Sequence, residues 1–442
     1  MGKYFGTDGV RGEANGKLTA LLAYKIGRFI GFNEHKKVRI LIARDTRLSG
    51  HFLADAISSG IISSGGDVCN IDISTTPSVS YIVRTFNFDY GVMISASHNP
   101  YYDNGIKIFN NCGEKLAENI ELEIEKYIDE QNDYLPFAKN DKLGKYIEGK
   151  KYIDEYIDFL RSKINPKING LNILVDCANG SASSLIFDVL KGFNINCEFI
   201  NNNPNGININ DRCGSTHISL LSDYVKNNHF DITFAFDGDA DRCLCMDQDG
   251  NVVDGDGIMY VNGVFMKKNK ILNKNTVVLT VMSNIGLKKA FEKENINIVE
   301  VGVGDKYVQA EMKKNNYSLG GEQSGHIIFL NDMNTGDGIL TMIKMLNIIY
   351  EENRNIKELT GKLVIYPQEL KNITVQNKEA VLSHIGFNEK IKELEKQLDG
   401  NGRILVRASG TEPLIRVMCE AKTKEQCSYV CDELINYISE IL

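Results

Sequence analysis

Hydrophobic and polar positions fall in blocks along this chain. VRILIA (38–43), LNILVD (171–176) and NTVVLTV (275–281) are nearly unbroken apolar runs. Each leads into a segment of helical character: HFLADAISSGIISSG, SASSLIFDVLKGF and IGLKKAFEKE. Strands this apolar need both faces covered, and helices supply the cover, so the pattern predicts α/β units. The second strand of each unit shows a weak internal repeat. FDYGVMISASHN begins at Phe88, FDITFAFDGDAD at Phe230 and NYSLGGEQSGH at Asn316, and each apolar run ends in Gly, Ser, Asp or His. Ligands collect outside such strand ends in open α/β sheets. Three units with one polar loop apiece predict a single site built between domains.

Other stretches break the pattern. The Lys-, Glu- and Tyr-rich segment 114–165 reads as helical and bridges the first two units, and the DQDG turn at 247–250 closes the second. After Pro367 come a short run (LKNITVQ), a charged helix (NEKIKELEKQLD), two strands (GRILVRAS, LIRVMCEA) and a last helix, which is the pattern of a small α+β domain. A length of 442 residues suits about three or four domains. The expected boundaries are 1–150, 151–254, 255–366 and 367–442.

Composition narrows the class. Apolar residues are 43% and charged residues 24%, an ordinary soluble mixture with no run long enough to span a bilayer. MGKYFGTDGVRG lacks the apolar segment of a secretory signal and the hydroxyl that myristoylation wants at position 6, so a cytoplasmic location is expected. Ten scattered cysteines without a C-x-x-C pair read as reduced structural thiols. A net charge of −8 with no basic stripe argues against a nucleic-acid partner. An anionic small molecule would need cations gathered locally against that field.

Four loops carry candidate chemistry. DGDADR sets Asp237, Asp239 and Asp241 at alternate positions. Their mutual repulsion is relieved by a hard divalent ion on oxygen ligands, Mg²⁺ or Ca²⁺, and the alternative is a solvated acidic turn. RASGTEPLIR places Arg407, Ser409, Gly410 and Thr411 where hydroxyls, backbone N–H groups and a guanidinium could surround a phosphate, or simply turn between strands. In GGEQSGH, Glu322 and Ser324 could meet sugar hydroxyls. The G-x-G of VGVGDKY has no G-x-x-G continuation, which excludes a dinucleotide fingerprint. Finally, SASHNP presents Ser97, but neighbouring residues on an extended loop point apart, so a Ser97–His98 dyad does not follow. A phosphorylated Ser97 would make the loops coherent: a dication and Lys107 hold that phosphate, while Arg407 and its hydroxyl partners hold a second one on a substrate.

These motifs, in order, are KYFGTDGVRG, ISASHNPYYDNGIK, RCGSTH, DGDADR, VGDKY, GEQSGH and RASGTEPLIRVM. Together they resemble the α-D-phosphohexomutase superfamily over essentially the whole chain, and its glucosamine branch in KYFGTDGVRG, GSTH and GEQSGH. The resemblance implies an α/β fold of four domains around a central active-site cleft, three related units with mixed sheets and a smaller, mobile C-terminal α+β domain. It implies that Ser97 is the phosphorylated nucleophile and that Asp237, Asp239 and Asp241 hold one Mg²⁺ with that phosphate. It further implies that Glu322 and Ser324 contact sugar hydroxyls and that Arg407, Ser409, Gly410 and Thr411 bind the distal phosphate. Arg11, His98, Lys107, Arg242 and His326 become active-site charge and proton-transfer groups, with the general base open between His326 and Lys107. The implied activity moves a phosphoryl group between C6 and C1 of glucosamine phosphate through a bisphosphate. A small phosphosugar substrate, a homodimer and a role in peptidoglycan precursor synthesis come with it. Lys306, Ala408 and Ile218-Ser219 depart from the pattern, which expects Arg, Pro and Pro-Glu there. A phosphatase with Asp237 as nucleophile competes, although its motif wants Thr or Val where Asp241 stands. A phosphomannomutase/phosphoglucomutase of the same superfamily and a non-catalytic sugar-phosphate-binding regulator on the same scaffold are the other rivals.

Overall fold

A computed structural model describes residues 2–6, 8–409 and 413–441. It divides into two compact units, Met1–Met282 with Ile296–Thr360, and Ser283–Asn295 with Gly361–Leu442.

The first unit holds three sheets. The largest has seven strands: β1 (Phe5–Gly6), β2 (Gly9–Glu13), β3 (Arg39–Arg44), β4 (Asp67–Ile73), β5 (Tyr90–Ile94), β6 (Asp103–Asn110) and β7 (Tyr146–Glu148), in the order β1-β2-β6-β5-β3-β4-β7. The second contains β8 (Asn169–Asp176), β9 (Asn194–Ile200), β10 (Ile232–Phe236), β11 (Cys243–Met246) and β12 (Val252–Val253), ordered β12-β11-β10-β8-β9. The third contains β13 (Thr276–Thr280), β14 (Asn297–Val301), β15 (Leu319–Gly321) and β16 (Ile327–Phe329), ordered β14-β13-β15-β16.

The repeat seen in the sequence is a repeat of topology. In every sheet the first strand of the unit (β3, β8, β13) lies parallel to the next (β4, β9, β14) and, on its other side, to a third (β5, β10, β15). That third strand then turns into an antiparallel fourth (β6, β11, β16). The polar loops SASHNP, DGDADR and EQSGH all join the third strand to the fourth. Apolar strands explain the rigidity of that join: all five residues of β10 are buried, as are four of the five in β5.

Two local expectations need correction. Segment 114–165 is helical at Glu118–Asp129 and Lys151–Ser162, but between them the chain returns to add the exposed edge strand β7, parallel to β4. SASSLIFDVLKGF forms a short 3₁₀ turn at Ser181–Ser184 and a five-residue helix at Ile186–Leu190 in place of one long helix. Ser183 and Ser184 donate their hydroxyls to the backbone carbonyls of Gly180 and Ser181, the local competition that disfavours a helix start.

The second unit is the small α+β domain expected after Pro367, joined by the helix Ile285–Lys293. Its antiparallel sheet runs β17 (Gln368–Thr374), β19 (Leu414–Glu420), β18 (Arg403–Ala408) and packs against the helices Ile385–Gln397 and Lys424–Ile441. All ten cysteines are free thiols. Among the described residues, no helix is long and apolar enough to cross a membrane.

Candidate active site

Ser97 and the aspartate loop meet. Ser97 Oγ donates to Asp237 Oδ2 at 2.6 Å, across 140 positions of sequence, and both side chains are buried. Ser97 has a φ of +54°, a left-handed conformation that costs a non-glycine residue of order 1 kcal/mol or more. Gly238 makes the approach possible, because a Cβ there would lie 2.5 Å from the Ser97 carbonyl oxygen.

The aspartates sit close enough to share an ion. One carboxylate oxygen from each of Asp237, Asp239 and Asp241 lies within 4.8 Å of the others. Asp239 Oδ1 and Asp241 Oδ1 are buried with no hydrogen-bond partner. Burial first, then Asp241 and Asp239, push the Asp237 carboxyl well above its ordinary range. Unpartnered buried carboxylate oxygens beside a protonation-prone third carboxyl fit a hard divalent cation on oxygen ligands.

Lys107 stands on the other side of the loop. Its ammonium reaches Asp239 Oδ2 at 2.7 Å, Asp8 Oδ2 at 3.1 Å and Asp241 Oδ2 at 3.3 Å. Burial opposes that charge, but Asp239, Asp8 and Asp241 outweigh it and hold the Lys107 pKa well above the usual lysine range. Asp8 also pairs with Arg11 and takes Lys115 at 2.6 Å. Lys115 in turn reaches Asp305 Oδ2 at 2.6 Å, and Asp305 faces His326 Nε2 at 3.5 Å. A continuous row of alternating charge therefore runs from the aspartate loop to His326.

His326 is buried, and neither ring nitrogen has a hydrogen-bond partner. Gly336 packs flat against the ring, where a Cβ would come within 2.6 Å of it. His98 lies beside Ser97, with Nδ1 3.4 Å from Oγ. Burial, then the Arg242 and Arg11 charges, lower its pKa to about 4, so its ring is neutral at physiological pH. Arg242 packs by Asp241, and its backbone N–H donates to Asp237 Oδ1 at 3.2 Å. Glu322 Oε1 accepts from Gly304 N at 3.1 Å, and Ser324 Oγ is buried without a partner.

In the second unit, Arg407 on the edge strand β18 pairs with Arg416 on β19, two like charges directly opposite. Burial and then Arg416 lower the Arg407 pKa. Ser409 is buried, its N–H donates to Leu414 O at 2.9 Å, and its carbonyl accepts from Lys378 Nζ at 2.7 Å. Gly410 and Thr411 lie outside the described residues.

Four successive family models match the chain, each described as phosphoglucomutase/phosphomannomutase: α/β/α domain I over residues 2–135, domain II over 151–250, domain III over 254–365 and the C-terminal domain over 370–436. The chain belongs to the phosphoglucomutase/phosphomannomutase family. Within that family it is 46% identical over 448 residues to a phosphoglucosamine mutase of Bacillus subtilis, covering 100% of this chain and 98% of the relative. It is also 46% identical over 443 residues to a phosphoglucosamine mutase of Lachnospira eligens, covering 99% and 98%. Among solved structures, a phosphoglucomutase/phosphomannomutase family protein of Burkholderia thailandensis superposes with a TM-score of 0.81 at 21% identity, covering 99% of this chain and 98% of that one. An Aspergillus fumigatus N-acetylphosphoglucosamine mutase, solved with GlcNAc-6P and magnesium, gives 0.74 at 18% identity, covering 99% and 95%.

Several residues of the site were not singled out from the sequence. Asp8, Lys115 and Asp305 build the charge row, while Asp45, Arg47 and Asn210 touch the Ser97 loop or its supports. One signal was available: RDTR follows VRILIA directly, another apolar strand ending in a polar cluster.

Proposed function

We propose that this enzyme is a phosphoglucosamine mutase, interconverting glucosamine 6-phosphate and glucosamine 1-phosphate through a phosphoserine at Ser97 and a glucosamine 1,6-bisphosphate intermediate. The observation that carries the mechanism is the 2.6 Å contact between Ser97 Oγ and Asp237 at the mouth of the aspartate cluster. Full-length identity of about 45% to phosphoglucosamine mutases supports the substrate.

Asp237, Asp239 and Asp241 would hold Mg²⁺, which when bound neutralises phosphate charge and polarises the phosphoryl group for in-line transfer. The protein's part is positioning and counter-charge. Lys107, ion-paired with three carboxylates, is a fixed cation beside the phosphate of Ser97 and a poor base. His326, with both ring nitrogens unpartnered, is the group we assign to accept the proton of the attacking sugar hydroxyl. Asp305, 3.5 Å from Nε2, stabilises the imidazolium formed, which gives its proton to the departing sugar oxygen when the second transfer returns a phosphoryl group to Ser97. His98 stays neutral next to Ser97, and Arg11 and Arg242 add positive charge around the transferring group.

Glu322 and Ser324 accept from and donate to sugar hydroxyls, and Arg407 with Ser409, Gly410 and Thr411 binds the phosphate that is not reacting. After the first transfer the bisphosphate turns end for end, and the phosphate first at C6 returns to Ser97. A homodimer, a cytoplasmic location and a role in peptidoglycan precursor synthesis belong to the same reading.

Purified protein with Mg²⁺, assayed on the 6-phosphates of glucosamine, glucose and mannose, tests it. Glucosamine 6-phosphate is expected to turn over fastest, and intact mass is expected to show one added phosphate. Faster turnover of glucose or mannose phosphate would move the protein to the other branch of the family. Ligand binding with no turnover would make it a regulator.

A further inference from the structure

The buried guanidinium of Arg47 lies behind the Ser97 loop, on the turn between β3 and the helix Gly50–Ser63. All five of its N–H donors are engaged. Nε donates to Asp45 Oδ2 at 2.8 Å. Nη2 donates to the carbonyls of Ser97 at 2.9 Å and Asn99 at 2.8 Å. Nη1 donates to the carbonyls of Asp103 at 3.1 Å and Pro100. Asp45 is equally buried and accepts from Ser95 Oγ at 2.7 Å, and that same hydroxyl accepts from Ser97 N at 2.9 Å. A second donor, Asn210 Nδ2, reaches the Ser97 carbonyl at 2.9 Å and the Asn99 carbonyl at 3.1 Å.

Both peptide groups flanking the Ser97 side chain are thereby tied. Its N–H is bound through Ser95 to Asp45, and its carbonyl is bound by Arg47 and Asn210. A left-handed serine persists only where its surroundings over-determine it. Rotating the peptide after Ser97 would strand a charge-assisted donor of Arg47 in a buried site, and rotating the one before it would strand the Ser97 N–H. The φ of +54° is also what sends Oγ toward Asp237.

We propose that Arg47, anchored by Asp45 and assisted by Asn210, is a positioning residue that holds Ser97 in its left-handed conformation so that Oγ is aimed at the aspartate loop before any ligand arrives. The kinetic form of this proposal rests on the mutase reading above; the structural form does not. Lysine at 47 keeps the charge but carries three donors on a point, so it cannot serve four carbonyls and a carboxylate in one plane.

The test compares Arg47→Lys and Asn210→Ala with Arg28→Lys. Arg28 is a second buried guanidinium of the first unit, bound to Asp133, Ser64 and the Leu135 carbonyl and remote from this loop. Arg47→Lys is expected to lower kcat about 100-fold and Asn210→Ala about 10-fold, with KM within about threefold of wild type, because misaimed attack costs rate before it costs binding. Arg28→Lys is expected to lower the melting temperature while leaving kcat within about twofold. Hydrogen exchange of segment 94–104, read by mass spectrometry on the same preparations, is expected to quicken at least about tenfold in the first two variants and stay unchanged in the third. Unchanged exchange in Asn210→Ala overturns the proposal even if Arg47→Lys does not fold. So does a kcat loss in Arg47→Lys no larger than that of Arg28→Lys. Wild-type protein inactive on all three sugar phosphates would instead overturn the functional reading, and the exchange experiment would still decide the role of Arg47.

Discussion

In the first unit, Ser97 is 1% exposed, and its N–H, carbonyl and hydroxyl each have a protein partner. In the second, Arg407 is half-buried on an edge strand with another arginine opposite it. Both loops end apolar strands and both are read as phosphate sites, but they are built to different tolerances. On the proposed reading, phosphoryl transfer at Ser97 would need in-line alignment to within a fraction of an ångström, and the buried donors that over-determine its loop fit that demand. Holding a phosphate that does not react needs only charge and hydrogen bonds, and a site that must accept either end of a bisphosphate gains from being less rigid. On the proposed reading, an anion bound beside Arg407 would ease the repulsion from Arg416 opposite it, which favours binding without fixing one pose.

The comparison predicts a gradient of effects. Ser97→Ala is expected to lower turnover at least about 1,000-fold and to abolish the added phosphate in the intact mass. Residual turnover within tenfold of wild type would remove the nucleophile assignment. Asp239→Asn is expected to lower kcat by about 100- to 1,000-fold, and a chelator is expected to silence wild type reversibly, with activity returning on Mg²⁺ addition. Arg407→Ala is expected to raise KM about 10- to 100-fold, the loss of one or two charge-assisted hydrogen bonds, while intact mass still shows the phosphate on Ser97. A collapse of kcat with unchanged KM would show that the second loop is as alignment-sensitive as the first.

The smallest expected effect concerns a buried acid at the start of a helix. Asp337 caps the helix Gly338–Glu352 and accepts from Tyr156, and burial raises its pKa to about 6. A carboxyl whose folded pKa exceeds its unfolded value near 3.8 contributes stability that is full below that lower value and is lost as pH rises through 6. Asp337→Asn keeps a good cap without the charge, so it is expected to stabilise the fold more at pH 8 than at pH 5, the two effects differing by about 1.5 kcal/mol, and to raise the melting temperature accordingly. Equal shifts at both pH values would show that burial is not what perturbs this acid.

The loops SASHNP, DGDADR and EQSGH were legible because each follows an apolar strand and packs several reactive residue types into a few positions. Their repeated place between third and fourth strands was half visible, as three apolar runs with polar ends. Lys115 was not legible. It opens a Lys- and Glu-rich stretch that reads as a solvated helix, and only its contacts with Asp8 and Asp305, 107 and 190 positions away, reveal a bridge. Arg47 was overlooked for a related reason: apart from Asp45, its side-chain partners are backbone carbonyls, which leave no mark on composition. Strand β7 was hidden because an exposed edge strand has little apolar pattern to show.

What this sequence determined by itself was local: which runs bury, where they stop, and which polar residues stand at each stop. Burial and period act over a few residues, so a linear reading recovers them. Only the tertiary structure decided that Ser97 faces Asp237, that Lys107 answers three carboxylates, and that one guanidinium donates to the carbonyls of the Ser97 loop. Those facts depend on distances between residues far apart in the chain, and electrostatics and hydrogen bonding act on distance in space.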